Sequence, residues 1–160
     1  MEISEFKTSR AVVIERPFEA NLREIKLTEP RSDAYMCQTL FSAISTGTDM
    51  KTYKGMQHPE QCYYPLVPGY ETAGIVVAKG PDARKDLNIG DRVMINECRR
   101  YGDVCSAWGG GSEFTIKDSF TTNNQFDYSV KLPDNVTYEQ GVLAYLECVP
   151  LKGIKRLTLR

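Results

Sequence analysis

The stretch "YYPLVPGYETAGIVV", Tyr63–Val77, decides the fold. Pro65, Pro68 and Gly69 hold the chain in a turn, because each proline ring fixes its own φ and glycine admits backbone shapes closed to other residues. From Glu71 onward the composition changes to Thr72, Ile75, Val76 and Val77, the β-branched residues that suit a pleated, half-buried surface. A loop running into a strand in this way has the form of a metal-site loop. Such a loop would want a histidine where this one carries Tyr70, so the question is whether the loop has been kept and the metal dropped.

Outward from this stretch, short β-rich runs recur between turn residues. "SRAVVIE" (Ser9–Glu15), "LREIKL" (Leu22–Leu27), "AYMCQTLFSAIS" (Ala34–Ser45), "ETAGIVVAKG", "GDRVMI", "GSEFTIK" and "YSVKLP" make seven expected strands separated by Gly, Pro and Asn. The run at Ala34 mixes apolar and small polar residues on both faces, as a strand partly covered on both sides would. The expected fold is mainly β, a closed or partly open barrel with short helices. After Leu132 the texture changes: Pro133, Asp134 and Asn135 form a turn, and Thr137 with Gln140 three residues on matches a capping box. Val142, Leu143 and Leu146 follow at helical spacing, so a helix is expected from Thr137 onward. The expected division is an N-terminal extension at 1–9, a barrel at 10–136 and a helical connector at 137–160.

The chain has 160 residues, enough for one domain with one core. Lys and Arg total 20 against 21 Asp and Glu, for a net charge of −1 with the signs interspersed, which argues against a nucleic-acid or acidic-membrane partner. No apolar run approaches a membrane span, and the first residues carry no apolar core of a signal, so a cytoplasmic protein is expected. Five widely spaced cysteines, an odd number, point to free thiols rather than a disulfide frame, with Cys37 in a core strand.

"GTDMKTYKG", "YPLVPGYETAGIVV", "GDRVMI" and "GGGSEFTIK" follow one another in the order and spacing that resemble the catalytic half of medium-chain, alcohol-dehydrogenase-like oxidoreductases, a half that is itself similar to the GroES chaperonin barrel. The resemblance covers about Arg10 to Arg156. "ISTGTD", "YPLVPGYE" and "YGDVCSAWGGGSEF" look closest to the branch containing the hydroxyethyl-bacteriochlorophyllide dehydrogenases.

The resemblance implies a substrate site and names its positions. Members with catalytic zinc carry a Cys-Gly-Thr/Ser-Asp run, a Gly-His-Glu run and a later Cys or Glu; three protein ligands leave a fourth position for the substrate oxygen. Here the first position is Thr46 and the second Tyr70, leaving Glu71 and the weak candidates Glu147 and Cys148, so no catalytic zinc is expected. The structural zinc of the family needs four close cysteines, against Cys98 and Cys105 in that region, with Cys62 or Cys148 conceivable only if the fold gathers them. His58, in a polar loop, reads as a solvated residue. Thr48 holds the place of the hydroxyl that bonds the reacting oxygen in the family, and Tyr70 offers a phenol as acid or base, or else fills the emptied metal cavity and packs on Thr46. Thr46, Thr48, Tyr70 and Glu71 are thus the candidate catalytic residues.

No G-x-G-x-x-G run at a strand-to-helix turn occurs, and "WGGGSEF" leads into a strand. NAD or NADP is therefore expected only with a Rossmann-type cofactor domain, in cis or in trans, and in the family that domain would begin just past Arg160. A small-molecule substrate is expected, and homodimer formation is open. The alternatives are a non-catalytic GroES-like module holding a small ligand or a protein, and a zinc-carrying structural domain built on Cys98, Cys105 and Cys148.

Overall fold

The computed structural model describes residues 2–58, 63–96, 101–119 and 129–158. Its elements in chain order are a 3-10 turn at Ile3–Glu5, β1 Thr8–Arg16, β2 Glu19–Lys26, β3 Ala34–Ala43, α1 Thr48–Tyr53, β4 Leu66–Val67, β5 Glu71–Lys79, β6 Arg92–Ile95, β7 Cys105–Ser106, β8 Phe114–Asp118, β9 Ser129–Lys131 and α2 Tyr138–Thr158. All seven expected strands are present, their ends shifted by a few residues. The strand-and-turn reading passed over β4 and β7, each too short to show alternation, and the six-residue α1.

The strands form two sheets, β2-β1-β4-β7 and β8-β3-β5-β6-β9, a partly open barrel. Isolated bridges Ala11↔Ser112 and Leu27↔Tyr101 stitch across the irregular segments. In β1 the side chains alternate: Ser9, Ala11 and Val13 are buried while Arg10 and Val12 face out, the period of two that a strand imposes. Val13, Ile25, Met36, Val67 and Ile116 meet in the central core, and Ile3, ahead of β1, is buried with them. Each such burial is worth about 1.5–3 kcal/mol over exposure.

Strand β3 opens with four consecutive buried residues, Ala34, Tyr35, Met36 and Cys37. Met36 enters the central core, whereas Tyr35 and Cys37 pack on the other face against Val76, Leu87, Val93 and Ile95. This two-sided cover explains why the β3 sequence does not alternate.

Helix α2 begins as the sequence suggests. The Thr137 amide donates to Gln140 Oε1 at 3.0 Å and the Gln140 amide donates to Thr137 Oγ1 at 3.2 Å. Val142 packs with Ala73, Met94 and Leu132, and the Arg92 guanidinium lies 4.6 Å from the Tyr138 ring centre. Beyond Val142 the helix turns apolar residues outward: Leu143, Leu146, Val149, Leu151, Ile154 and Leu157 are all exposed, Leu157 by 77%. No helix among the described residues is long and apolar enough to cross a membrane.

Candidate functional site

The loop before β5 and the loop before α1 meet at Tyr70. Its ring is buried and stands edge-on to two others, Trp108 at 5.7 Å and Tyr145 of α2 at 5.6 Å between centroids. Pairs of this geometry are favourable beyond their buried area. The Tyr70 hydroxyl donates to Ser45 Oγ at 2.9 Å, and the Thr48 amide donates to the same oxygen at 3.1 Å. A serine oxygen has two lone pairs and one proton. With both lone pairs taken, Ser45 keeps its own O–H to donate.

Asp49 fixes the two loops together. Its Oδ2 accepts from the Ser45 amide at 2.8 Å and its Oδ1 from the Gly69 amide at 3.2 Å. Gly69, at φ +97°, then approaches the glycine loop so closely that a Cβ on Gly110 would stand 2.8 Å from Gly69 O and 2.1 Å from Thr72 Oγ1. Glycine is therefore required at 110 for the two backbones to touch. Trp108, one residue before the glycines, takes the left-handed region at φ +72°, a strained shape for a bulky side chain, and this turn brings its indole to Tyr70.

Glu71 opens β5 at 3% exposure, and its Oε1 has no hydrogen-bond partner. Burial, then repulsion from Asp49, pushes the Glu71 carboxyl above the usual carboxylate range. Asp49 is pushed up by burial, opposed by its bonds from the Ser45 and Gly69 amides.

Against this geometry the sequence expectations divide. Tyr70, Glu71 and the half-buried Thr48 come together, whereas Thr46 is exposed, and the phenol bonds to Ser45 and not to Thr46. His58 and Glu147 are exposed. Cys37 is buried in the core and Cys105 is exposed. Cys62 and Cys98 lie outside the described residues, as does the side chain of Cys148 within α2. The sequence reading missed Ser45, Trp108 and Tyr145, and gave Asp49 no role. The only available signal was the Ser45–Thr48–Asp49 spacing, in which the Thr48 amide donates to Ser45 Oγ and the Ser45 amide to Asp49 Oδ2, a relative of the capping box.

The chain matches the family model described as the alcohol dehydrogenase GroES-like domain over residues 40–134, more than half of its length. It belongs to the alcohol dehydrogenase GroES-like domain family. Among curated relatives, the 2-desacetyl-2-hydroxyethyl bacteriochlorophyllide A dehydrogenase of Cereibacter sphaeroides is 41% identical over 86 residues, covering 53% of this chain and 26% of that protein. The D-xylulose reductase of Saccharomyces cerevisiae is 26% identical over 159 residues, covering 88% of this chain and 43% of its own. A short chain alcohol dehydrogenase from E. coli CFT073, solved with NADH, superposes with a TM-score of 0.65 at 18% identity, over 86% of this chain and 42% of its own, which bears on the fold alone. The chain thus spans between a quarter and a half of the length of these proteins.

For a GroES-like domain the metal is the next question, and among the described residues the donors at the catalytic positions do not suit zinc. The position before Gly47 carries an exposed hydroxyl, and the phenol of Tyr70 is a protonated donor committed to Ser45. Among the described residues no three His, Cys, Asp or Glu side chains are placed to share a metal ion.

A cleft of about 750 Å³ opens beside this site, between the β1–β2 hairpin, the end of β3 and α1. Asp49 and Gly69, which tie the site's loops together, also line the cleft.

Proposed function

We propose that this domain is the substrate-binding half of an NAD(P)-dependent oxidoreductase acting at a hydroxyl or carbonyl carbon, without catalytic zinc. The observation that carries this is the Tyr70–Ser45 hydroxyl pair with the Thr48 amide on the same oxygen, an arrangement that leaves the Ser45 O–H to donate to a substrate. The relatives named as dehydrogenases and a reductase support the reaction class. When bound, the nicotinamide exchanges hydride with the substrate carbon; no dinucleotide fingerprint exists in these 160 residues, so a Rossmann-type domain in cis or in trans must hold it. The exposed apolar residues of α2 are the surface on which such a domain would seat.

Within the domain the chemistry is proton handling. As hydride leaves an alcohol carbon, the hydroxyl proton must go to a positioned acceptor; in the reverse direction, charge grows on the carbonyl oxygen and needs a donor. In reduction the Ser45 O–H would donate to that oxygen, Tyr70, bonded to Ser45 Oγ, would resupply the proton, and a solvent proton would restore the phenol; oxidation would run the same transfers in reverse. Thr48 holds Ser45 through its amide and stands beside the same space, with Thr46 at the solvent edge. Glu71, buried and without a partner at Oε1, keeps the pocket behind the phenol uncharged while it holds its proton.

The test is to complete the domain with a dinucleotide-binding partner and follow NAD(P)H absorbance with a panel of secondary alcohols and ketones. Tyr70→Phe should lower turnover by about two to four orders of magnitude with little change in KM. Wild-type turnover unchanged by Tyr70→Phe across a pH profile would make the phenol a packing residue and remove the relay. No turnover with any alcohol or ketone, beside tight binding of a small ligand, would favour a non-catalytic module.

A further inference from the structure

Strand β2 is an edge of the sheet β2-β1-β4-β7, with β1 on one side and, among the described residues, no strand along the other. Which of its backbone groups face the open side follows from its C-terminal end. The Leu27 amide donates to Lys7 O at 2.9 Å, on the β1 side. Lys26 does the opposite: its carbonyl accepts the Gly102 amide at 2.7 Å and its amide donates to Asp103 Oδ1 at 2.8 Å. Successive residues of a strand turn their N–H and C=O groups to opposite edges, so Ala20, Leu22 and Glu24 turn theirs to the open side, as Lys26 does. Residues 102 and 103 cover Lys26 and leave the other three. The side chains of these three are exposed on the outer face, where Leu22, in register with Val12 of β1, is 72% exposed and Val12 45%. An uncovered edge beside exposed apolar side chains is a template for another strand.

We infer that this edge pairs with the β2 edge of a second copy of the chain, antiparallel, about a two-fold axis through Leu22. The open backbone groups select both the occupant and the register. Ala20 and Glu24 are evenly spaced about Leu22, so reversing the strand lays Leu22 opposite its own copy and Ala20 opposite Glu24. Every residue with groups facing outward then meets another such residue. At two hydrogen bonds per opposed pair, the stretch makes about six. A two-fold interface requires this kind of self-complementarity. On the outer face the row across four strands reads Val12, Leu22, Leu22, Val12, and each Leu22 loses apolar surface to water. No like charges stand directly opposite: Glu24 meets Ala20, and on the inner face Arg23 meets Asn21. Moving the axis one residue, to Arg23, would oppose two guanidinium groups and set Ala20 against the covered Lys26. The inference is independent of the oxidoreductase reading. A paired stretch this short belongs with weak interfaces, so the dissociation constant is expected on the order of 10 μM to 1 mM.

The test is sedimentation equilibrium of the 160-residue chain from about 10 μM to about 1 mM, with amide exchange followed over the same range. The expected result is a monomer–dimer equilibrium. Exchange at Ala20, Leu22 and Glu24 should slow as concentration rises, whereas Asn21 and Arg23, whose groups face β1, should not change. Leu22→Lys and Leu22→Glu each set like charges across the axis and should weaken association at least about tenfold. Mixing the two variants should restore it, because the register puts the introduced ammonium opposite the introduced carboxylate. Position 22 is exposed, so thermal midpoints should stay near wild type. Should the charged variants fail to fold, Glu24→Pro gives the same reading: it removes an outward amide and none of the bonds to β1, and should also weaken the dimer. A monomer throughout the range, or a dimer that survives both Leu22 variants and is lost in Ile154→Glu on the exposed face of α2, would overturn the inference. So would folded Leu22→Lys and Leu22→Glu chains that do not associate when mixed.

Discussion

Changing Glu71 to Gln tests whether the site keeps a buried, neutral carboxyl. Glu71 is 97% buried by its 3% exposure, its Oε1 has no partner, and Asp49 is near enough to repel it. Both carboxyls are held above the usual range, so the folded chain keeps protons that the unfolded chain has released. The stabilisation tied to each proton is complete below the unfolded carboxylate range, at about pH 4, and is lost as pH rises through the raised folded value. For one group the slope cannot exceed about 1.4 kcal/mol per pH unit, the free energy of one proton per unit. Glu71→Gln keeps the shape and removes one of the two titrations. Asp49, raised by burial and opposed by its amide bonds, keeps its own titration in the variant. Urea unfolding of both proteins from about pH 4 to about pH 8 reads the effect as a difference, which cancels the opposite trend from Asp86, Asp91 and Glu113, whose ion-paired carboxyls are held low. The variant should be no more stable than wild type at the acid end and gain on it steadily as pH rises. A difference that stays constant across the range, or one that shrinks, would refute the reasoning. Adding Asp49→Asn closes the cycle: two repelling carboxylates predict that the second substitution gains less than the first, after allowing for the clamp bond that asparagine loses.

Gly110→Ala should destabilise the fold by about 1–3 kcal/mol or abolish it, because the new Cβ meets Thr72 Oγ1 and Gly69 O inside contact distance; thermal unfolding checks this. Thr137→Ala removes one arm of the reciprocal cap on α2 and should cost about 0.5–2 kcal/mol, with the loss of helical signal concentrated in α2 by hydrogen exchange. Elemental analysis after dialysis without chelator should give no stoichiometric zinc, and one zinc per chain that disappears on changing Cys98 or Cys105 would favour the zinc-carrying structural domain.

The strands were legible because their signal is local. A β-branched run bounded by Gly, Pro or Asn needs no knowledge of the rest of the chain, and the Thr137–Gln140 cap lies within one helical turn. What was not legible depends on distance in the chain. Trp108 and Tyr145 reach Tyr70 from 38 and 75 residues away in a numbering that gives no hint of contact. The partner of the phenol was misplaced by one residue, Thr46 for Ser45, because the family's motif puts its ligand at the position before Gly47, whereas the backbone of this loop turns the preceding side chain inward.

That one-residue difference bears on why the loop persists at all. The turn Pro68–Gly69–Tyr70 would need a metal to hold it only if nothing else did. Here the Gly110 amide donates to Gly69 O at 2.7 Å, the Gly111 amide to Pro68 O at 2.8 Å, and Asp49 Oδ1 receives the Gly69 amide. The loop is therefore fixed by backbone bonds and one carboxylate, and its geometry does not depend on an ion at position 70. Keeping "GTD" and "PGYE" is accounted for by this scaffold alone, since Asp49, Gly69 and the strand opened by Glu71 are its members. The motifs by themselves consequently do not discriminate an enzyme from a binding module. The proposed relay supplies the discrimination: with Tyr70 and Thr48 on its lone pairs, Ser45 would have its O–H for a substrate oxygen, and loss of turnover in Tyr70→Phe would separate that use from packing.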